Sequence, residues 1–316
     1  MQSAFSPGIH LVDKPPGPSS ASLVRAFAEE IRAAGIRPDK LPLCHGGALD
    51  PFAEGLLLIL AGPATRLMES LHAIPKSYEA TIDWGTETDS GDALGKVVPT
   101  PVAVALAKTP FALTPSSLDA ALRDQLGWQD QVPPAHSNKR IGGERAYLKA
   151  HRGEEVTLPS SRVYLHQARW LSHHLTADGP RSRLQLSCRG GYYVRALARD
   201  LGRALGCGAH LSALRRTSIG PWACPPAGER VLIVGAQVMP WCPSRRLTAR
   251  EARLVESRQS IPCGDLQAPD WPLPPDFAGA TGATPIVRAL REGKLLALLA
   301  RAGDALHPHV LLGQGM

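Results

Sequence analysis

A short polar turn that runs directly into an unbroken apolar segment constrains this chain more than any other feature. The turn spans residues 44–55 and carries the carboxylate of Asp50, and the apolar segment follows at residues 56–61. An apolar run of this length between glycines is typical of a strand that is buried on both faces. We therefore expect Asp50 to lie at the edge of a rigid sheet, in a loop of the kind that carries catalytic groups. Taken alone, Asp50 followed by Pro51 is also an ordinary turn opener.

The residues around Asp50 decide between these two interpretations. From His45 to Leu57 they read His-Gly-x-x-Leu-Asp-Pro-x-Ala-x-Gly-Leu-Leu. This segment resembles the catalytic motif of the TruB-type tRNA pseudouridine synthases, which act on uridine 55 in the T loop of tRNA. The resemblance implies that Asp50 is the catalytic carboxylate and that His45 fills the space left by a flipped base. The chain departs from the family at Gly47, where the family usually has Thr.

Two segments on either side of this motif also resemble the family. Residues 9–17 form an apolar strand and a Pro/Gly turn, after which Ser19 is an N-cap for a helix. Lys14, in that turn, is either a solvated lysine or a substrate-binding residue that supports the active site. Residues 76–85 alternate as a half-buried strand does. Within them, Tyr78 matches the family's active-site tyrosine, which stacks on the target base and can serve in proton transfer, so the resemblance implies a catalytic role for it.

Residues 188–202 are a second strong match, in which a strand ends in Gly-Gly and a helix follows. By resemblance, Tyr193 lines the uridine pocket, Arg195 pairs with Asp50, and Leu214 packs against the flipped base. A buried carboxylate remains ionised when a guanidinium binds it, so the pairing is physically reasonable. The same resemblance predicts that the arginines after Leu214 contact phosphates; these are Arg215 and Arg216.

The resemblance predicts an α+β fold with two domains. Residues 1–230 are expected to form the catalytic domain, with a mixed, mainly antiparallel central sheet flanked by helices. Within it, residues of about 125–155 are expected to form an insertion that grips the T-loop arm. Residues 245–316 are expected to form a small β-rich domain that resembles the PUA domain. Two strands around an Ala-Gly-Asp turn, and a capping box that opens with Thr248, are predicted there.

The isomerisation breaks the N1–C1′ bond and joins C5 to C1′, so it requires neither a cofactor nor a metal. Asp50 is either a nucleophile toward C1′ or a base that removes a ribose proton, and the sequence does not distinguish the two. The acidic loop at residues 86–92 is interpreted as structural because it lacks calcium-loop spacing. Cys207 and His210 are not accompanied by a paired Cys-x-x-Cys, which argues against zinc.

The formal net charge of +7 is consistent with a polyanionic partner. Scattered cysteines and the lack of an export signal favour a reducing cytoplasm. We expect a monomer that binds the T-arm of tRNA without a membrane or an obligatory protein partner. Two alternatives stay open: a non-catalytic RNA-binding protein on the same scaffold, and a guide-RNA-dependent relative that acts within a complex.

Overall fold

A computed structural model describes residues 5–37, 41–72, 74–98, 113–274, 285–313 and 315–316. Part of the proline-rich connector that precedes the last two predicted strands lies outside these residues. None of the helices in the described part of the chain combines the length and the apolar character that a bilayer span requires.

The helices and strands fall into the following ranges. The α-helices are α1 (Ser20–Ala33), α2 (Met68–His72), α3 (Pro115–Arg123), α4 (Ala146–His151), α5 (Val194–Ala204) and α6 (Ala249–Glu256). The strands are β1 (Gly8–Lys14), β2 (Leu43–His45), β3 (Glu54–Ala61), β4 (Lys76–Trp84), β5 (Glu87–Thr88), β6 (Val97–Val98), β7 (Gly127–Gln131), β8 (Arg140–Ile141), β9 (Glu144–Arg145), β10 (Ser161–Thr176), β11 (Gly179–Cys188), β12 (Ala209–Ile219), β13 (Trp222–Ala223), β14 (Arg230–Ile233), β15 (Ser244–Arg246), β16 (Ile261–Pro262), β17 (Ile286–Arg291), β18 (Lys294–Ala302) and β19 (Ala305–Leu311).

The chain divides into two compact units. The first unit comprises Met1–Pro51, Gly55–Ile74 and Pro221–Met316, and the second comprises Phe52–Glu54 and Pro75–Gly220. The two units are defined by how densely their residues contact one another. The domain boundaries expected near residues 230 and 245 stay a prediction.

In the first unit, β1 lies between β14 and β3, β2 also pairs with β3, and all of these pairs are antiparallel. Every residue of β3 after Glu54 is buried, which confirms the strand predicted from the apolar run. Helix α1 begins after Ser19, whose side chain accepts a hydrogen bond from the Ser22 backbone N–H, as an N-cap does. Its buried residues Phe27 and Ile31 pack with a small apolar cluster that includes Ile59.

The C-terminal part of the first unit is a separate five-stranded sheet in the order β15-β17-β18-β19-β16. The β15–β17 pair is parallel and the remaining pairs are antiparallel. Thr248 and Glu251 form the predicted capping box at the start of α6. The guanidinium of Arg288, buried to 1% exposure, donates to the carbonyls of Ala236 and Cys242 and therefore ties the sheet to the preceding segment.

In the second unit, antiparallel strands follow the order β12-β4-β11-β10-β7. Helix α5 packs on β12 and β4, and α3 packs on β10. Strand β4 alternates strictly between buried and half-buried residues, as the sequence pattern predicts. The observed sheets and helices confirm the expected α+β fold.

Candidate active site

Asp50 lies in an irregular turn between β2 and β3, so its position depends on contacts from elsewhere in the first unit. The buried hydroxyl of Ser20 supplies two of them. Ser20 Oγ donates to the Leu49 carbonyl at 3.0 Å and accepts the Leu49 backbone N–H at 2.8 Å. One side chain at the start of α1 therefore fixes both backbone groups of the residue that precedes Asp50.

The residue that follows Asp50 is held from the same segment. The Pro51 carbonyl accepts the Gly17 backbone N–H at 2.7 Å and the Lys14 ammonium at 3.2 Å. Lys14 also donates to the Pro15 carbonyl at 3.0 Å, and its exposure is 0%. The alternative that Lys14 is a solvated turn residue is therefore wrong: it supports the Asp50 turn, while contact with a substrate stays a prediction.

The double contact of Ser20 makes it a positioning residue for Asp50. We expect Ser20→Ala to lower kcat about ten-fold and to leave KM nearly unchanged, because the carboxylate loses its alignment while the RNA contacts stay. Ser22→Ala is the matched control, since the exposed Ser22 hydroxyl bonds only to the Ser19 carbonyl. Steady-state kinetics and thermal unfolding of both variants test this. An equal loss in the two variants, or a Ser20 effect confined to the melting temperature, contradicts the positioning role.

His45 and Gly47 flank the turn on its N-terminal side. His45 is the last residue of β2, lies opposite Ile59 of β3 and is half-buried. The backbone φ of Gly47 is 123°, in the region that residues with a side chain rarely adopt. A β-branched residue such as the family's usual Thr would be strained in this conformation. Glycine at position 47 therefore suits the backbone of this turn.

Tyr78 and Leu214, the two residues predicted to sandwich the uracil, lie on adjacent strands of the second unit. Tyr78 on β4 is 7% exposed, and Leu214 on β12 is 6% exposed. Arg216 lies opposite Tyr78, and Leu214 lies opposite Ala80, one position further along the same face of β4. Because directly opposed residues share a face of the sheet, Leu214 is a diagonal neighbour of Tyr78. Tyr78 and Leu214 therefore lie together on a buried face of the sheet, beside the buried Arg216.

Buried polar groups surround Tyr78 on this face. Lys76 is two residues before Tyr78, and Cys188 of β11 lies opposite Lys76. Burial and, to a lesser extent, the positive charge of Arg216 together lower the pKa of Lys76 to about 7. Burial raises the pKa of Cys188 to about 12, so this thiol stays protonated. Lys76 can therefore exchange a proton near neutral pH, a capacity that the sequence pattern did not reveal.

The prediction for Arg216 is wrong. Its side chain is among the largest that are fully buried, with 1% exposure, so it does not reach out to a phosphate. The alternation of β12 explains the error, because neighbouring residues on a strand point to opposite faces. Arg215, on the other face, is 36% exposed and pairs with Glu54 at 3.3 Å.

Tyr193 and Arg195 lie at the start of α5, where β7 fixes the backbone. The Tyr193 N–H donates to Gln131 Oε1 at 2.9 Å, and Gln131 Nε2 donates to the Tyr193 carbonyl at 3.1 Å. Gln131 is itself 4% exposed. This side chain thus holds the first turn of α5 as Ser20 holds the Asp50 turn, and no pattern in the sequence indicated this role.

Arg195 is 4% exposed and bridges two loops of the second unit. Its guanidinium donates to the Ser90 carbonyl at 2.7 Å and to the His136 carbonyl at 2.9 Å. It also forms an ion pair with Asp92 Oδ2 at 3.5 Å. The pairing of Arg195 with Asp50 stays a prediction.

Asp92 is a partner of Arg195 in the second unit that sequence reasoning did not identify. Its Oδ1 accepts the Ser90 hydroxyl at 2.8 Å and the Leu94 N–H at 3.0 Å, while Oδ2 faces Arg195. The loop is structural, as expected, but it also places a second carboxylate against the predicted site arginine. An aspartate that both closes a turn and pairs with a buried arginine has no local sequence signature.

The predicted insertion is an exposed hairpin of β8 and β9 followed by α4. Arg152 binds Glu144 with two parallel bonds of 2.7 and 2.9 Å. Lys139 reaches Ser161 of β10 at 3.1 Å and connects the insertion to the sheet. Elsewhere, His210 Nδ1 bonds the Thr86 carbonyl at 2.8 Å, and no group of three potential metal ligands occurs in the described ranges.

Known proteins identify the class to which this fold and site belong. Residues 39–194 match the model of the TruB family pseudouridylate synthase N-terminal domain, and residues 195–234 match the tRNA pseudouridylate synthase B C-terminal domain. Both models describe pseudouridylate synthases. The chain belongs to the TruB family.

Individual relatives match over most of the chain. It is 35% identical to tRNA pseudouridine synthase B of Aromatoleum aromaticum, with 92% of this chain and 87% of the relative covered. It is 38% identical to the protein of the same name from Bordetella pertussis, with 83% and 96% covered. Among solved structures, a chain of the Cbf5-Nop10-Gar1 complex superimposes with a TM-score of 0.64 at 19% identity, covering 96% of this chain and 84% of that one. This last likeness concerns the fold alone.

Proposed function

We propose that this protein is a tRNA pseudouridine synthase, an isomerase that converts uridine 55 in the T loop to pseudouridine. The observation that carries the proposal is the Asp50 turn, because the family motif is held there on both sides by Ser20 and Lys14. A carboxylate that must meet one carbon of a flipped nucleotide requires such fixed placement. Curated relatives named tRNA pseudouridine synthase B support the substrate class.

The residues act in the following proposed roles. Asp50 either bonds C1′ as the N1–C1′ bond breaks, and is released when C5 joins C1′, or removes a ribose proton as that bond breaks and returns it when C5 joins C1′. In both routes the uracil turns before C5 joins C1′, C5 loses its proton and N1 gains one. Tyr78 and Leu214 hold the uracil between them, and Tyr193 closes the pocket. His45 occupies the space of the flipped base, which offsets part of the few kcal/mol lost in unstacking.

The surroundings of the site define the remaining parts of the proposal. The insertion grips the T-arm, whose phosphates its exposed cations attract. Residues 1–230 act as the catalytic domain, and residues 245–316 act as an RNA-binding domain. We propose that the protein works in the cytoplasm as a monomer without an obligatory protein partner.

Two other functions compete with this one. A non-catalytic RNA-binding protein has no need of a fixed carboxylate or of a buried Arg195 beside Asp92. A guide-dependent enzyme acts within a complex with a guide RNA and partner proteins, so the isolated chain would not modify tRNA.

One assay separates the three functions. Purified protein is incubated with an unmodified tRNA transcript, and pseudouridine is mapped at base resolution. We expect modification at uridine 55 by the protein alone, and none in a transcript that carries cytidine there. Binding without modification favours the non-catalytic protein, and modification that requires added guide RNA favours the guide-dependent enzyme.

A further inference from the structure

An aromatic and cationic surface in the second unit combines Trp128, which lies within the predicted insertion, with three residues to which no role is assigned above. Trp128 of β7 and Tyr164 of β10 are directly opposed, and their ring centroids are 5.1 Å apart. The guanidinium carbons of Arg162 and Arg189 lie 5.8 and 5.9 Å from the centroid of the Trp128 ring. We call these four residues the Trp128 surface.

The Trp128 surface is on an accessible face of the sheet. Arg162 and Tyr164 alternate along β10 with Val163 and Leu165, which are buried at 4% and 0% exposure, so they point to the opposite face. Trp128 is 38% exposed, a high value for a tryptophan, and the Arg162 side chain is 58% exposed.

The position of the Trp128 surface connects it to the proposed RNA site. Ser161, bonded to Lys139 of the insertion, directly precedes Arg162. The Arg189 N–H donates to the Tyr164 carbonyl at 3.0 Å, and the turn after Arg189 leads to Tyr193. The surface therefore extends from the segment proposed to grip RNA toward the turn proposed to close the uridine pocket.

The chemistry of the surface fits a nucleotide better than an apolar partner. An indole ring offers a stacking face to any base, and arginines beside it supply cations for the adjoining phosphates. Arg162 pairs with Asp130 at 3.4 Å, but both side chains are mostly exposed, so this pair is weak and yields readily to a phosphate.

We propose that Trp128, with Arg162 and Arg189, forms a second RNA contact that stacks one unpaired base of the tRNA and binds its phosphate. The proposal rests on tRNA being the substrate. The contact at Trp128 raises the affinity for tRNA and orients it, while the Asp50 site carries out the chemical step.

Substitution of the ring tests the stacking. We expect Trp128→Leu to raise the Kd for full-length tRNA about 5- to 20-fold, and Trp128→Tyr, which keeps a π face, to stay within about three-fold of the wild type. Filter binding and circular dichroism on the same samples measure affinity and folding. A folded Trp128→Leu protein with wild-type affinity overturns the proposal.

A pair of charge variants separates a local contact from diffuse attraction. Arg183 is the control for Arg162, because it is 52% exposed and pairs with Glu79. We expect Arg162→Gln to weaken tRNA binding about five-fold and Arg183→Gln to change it less than two-fold. Equal losses in the two variants overturn the local contact.

Tryptophan fluorescence tests the same contact in the wild-type protein, whose active site is unchanged. A stacked base quenches indole emission, so tRNA is expected to quench the wild type more than Trp128→Phe. Equal quenching in the two proteins contradicts stacking on Trp128. Because both binding and quenching are read without turnover, a wild type that binds tRNA but makes no pseudouridine refutes the proposed function and leaves this contact separately testable.

Discussion

Asp50→Asn is expected to lower pseudouridine formation by roughly a thousand-fold or more, with the Kd for a T-arm stem-loop changed less than about two-fold. Asparagine has nearly the same shape, and the main-chain bonds at Leu49 and Pro51 do not involve the Asp50 side chain. The amide, however, is neither a nucleophile toward C1′ nor a base. Single-turnover release of tritium from a 5-tritiated uridine substrate measures the chemical step, and filter binding measures affinity.

The control for this variant changes the same functional group elsewhere. Asp178 is exposed in the turn between β10 and β11, so Asp178→Asn is expected to behave as the wild type. Turnover retained in Asp50→Asn contradicts the role of this carboxylate. Loss of both turnover and RNA binding instead points to a damaged turn, which the Ser20→Ala variant identifies independently.

Arg195→Met is expected to have the largest effect on stability. The substitution leaves the carboxylate of Asp92, whose side chain is 8% exposed, without its cation, and it removes donors from the Ser90 and His136 carbonyls. Breaking a buried ion pair from one side costs about 3–5 kcal/mol. We therefore expect the free energy of unfolding, measured by urea denaturation, to fall by about that amount. Methionine fills a similar volume, so packing contributes little to the loss.

A double-mutant cycle isolates the ion pair. Asp92→Asn alone keeps an acceptor for the Ser90 hydroxyl and the Leu94 N–H, so it removes mainly the charge. If Arg195 and Asp92 interact as described, the double variant is less destabilised than the sum of the two single variants, by about 1 kcal/mol or more. Additive losses show that the two charges do not interact in solution.

The sequence was sufficient for features whose cause is local. The buried strand after Asp50, the N-cap at Ser19 and the capping box at Thr248 each depend on neighbouring residues, and the structure confirms them. The alternation around Tyr78 likewise gave the strand and its buried face. The family resemblance then supplied roles that no periodicity contains.

Contacts between segments that are distant in the chain could not be predicted from the sequence. Ser20 reaches Leu49 across 29 positions, and Gln131 reaches Tyr193 across 62. Serine and glutamine are common polar residues, and only the tertiary fold brings these hydroxyl and amide groups to the backbone that they hold. The prediction for Arg216 considered its charge but not the face of β12 on which it lies. That face is buried, so Arg216 cannot contact a phosphate in solvent.

The left-handed backbone at Gly47 limits what can be transferred from relatives to this chain. Engineering by consensus would restore threonine at this position, since the rest of the motif matches the family. In this chain the main chain at residue 47 has a φ that only glycine adopts at low energy. Threonine at this position would therefore require a change in the backbone of the turn. The residue that the family motif suggests at this position is therefore incompatible with the backbone that this chain adopts.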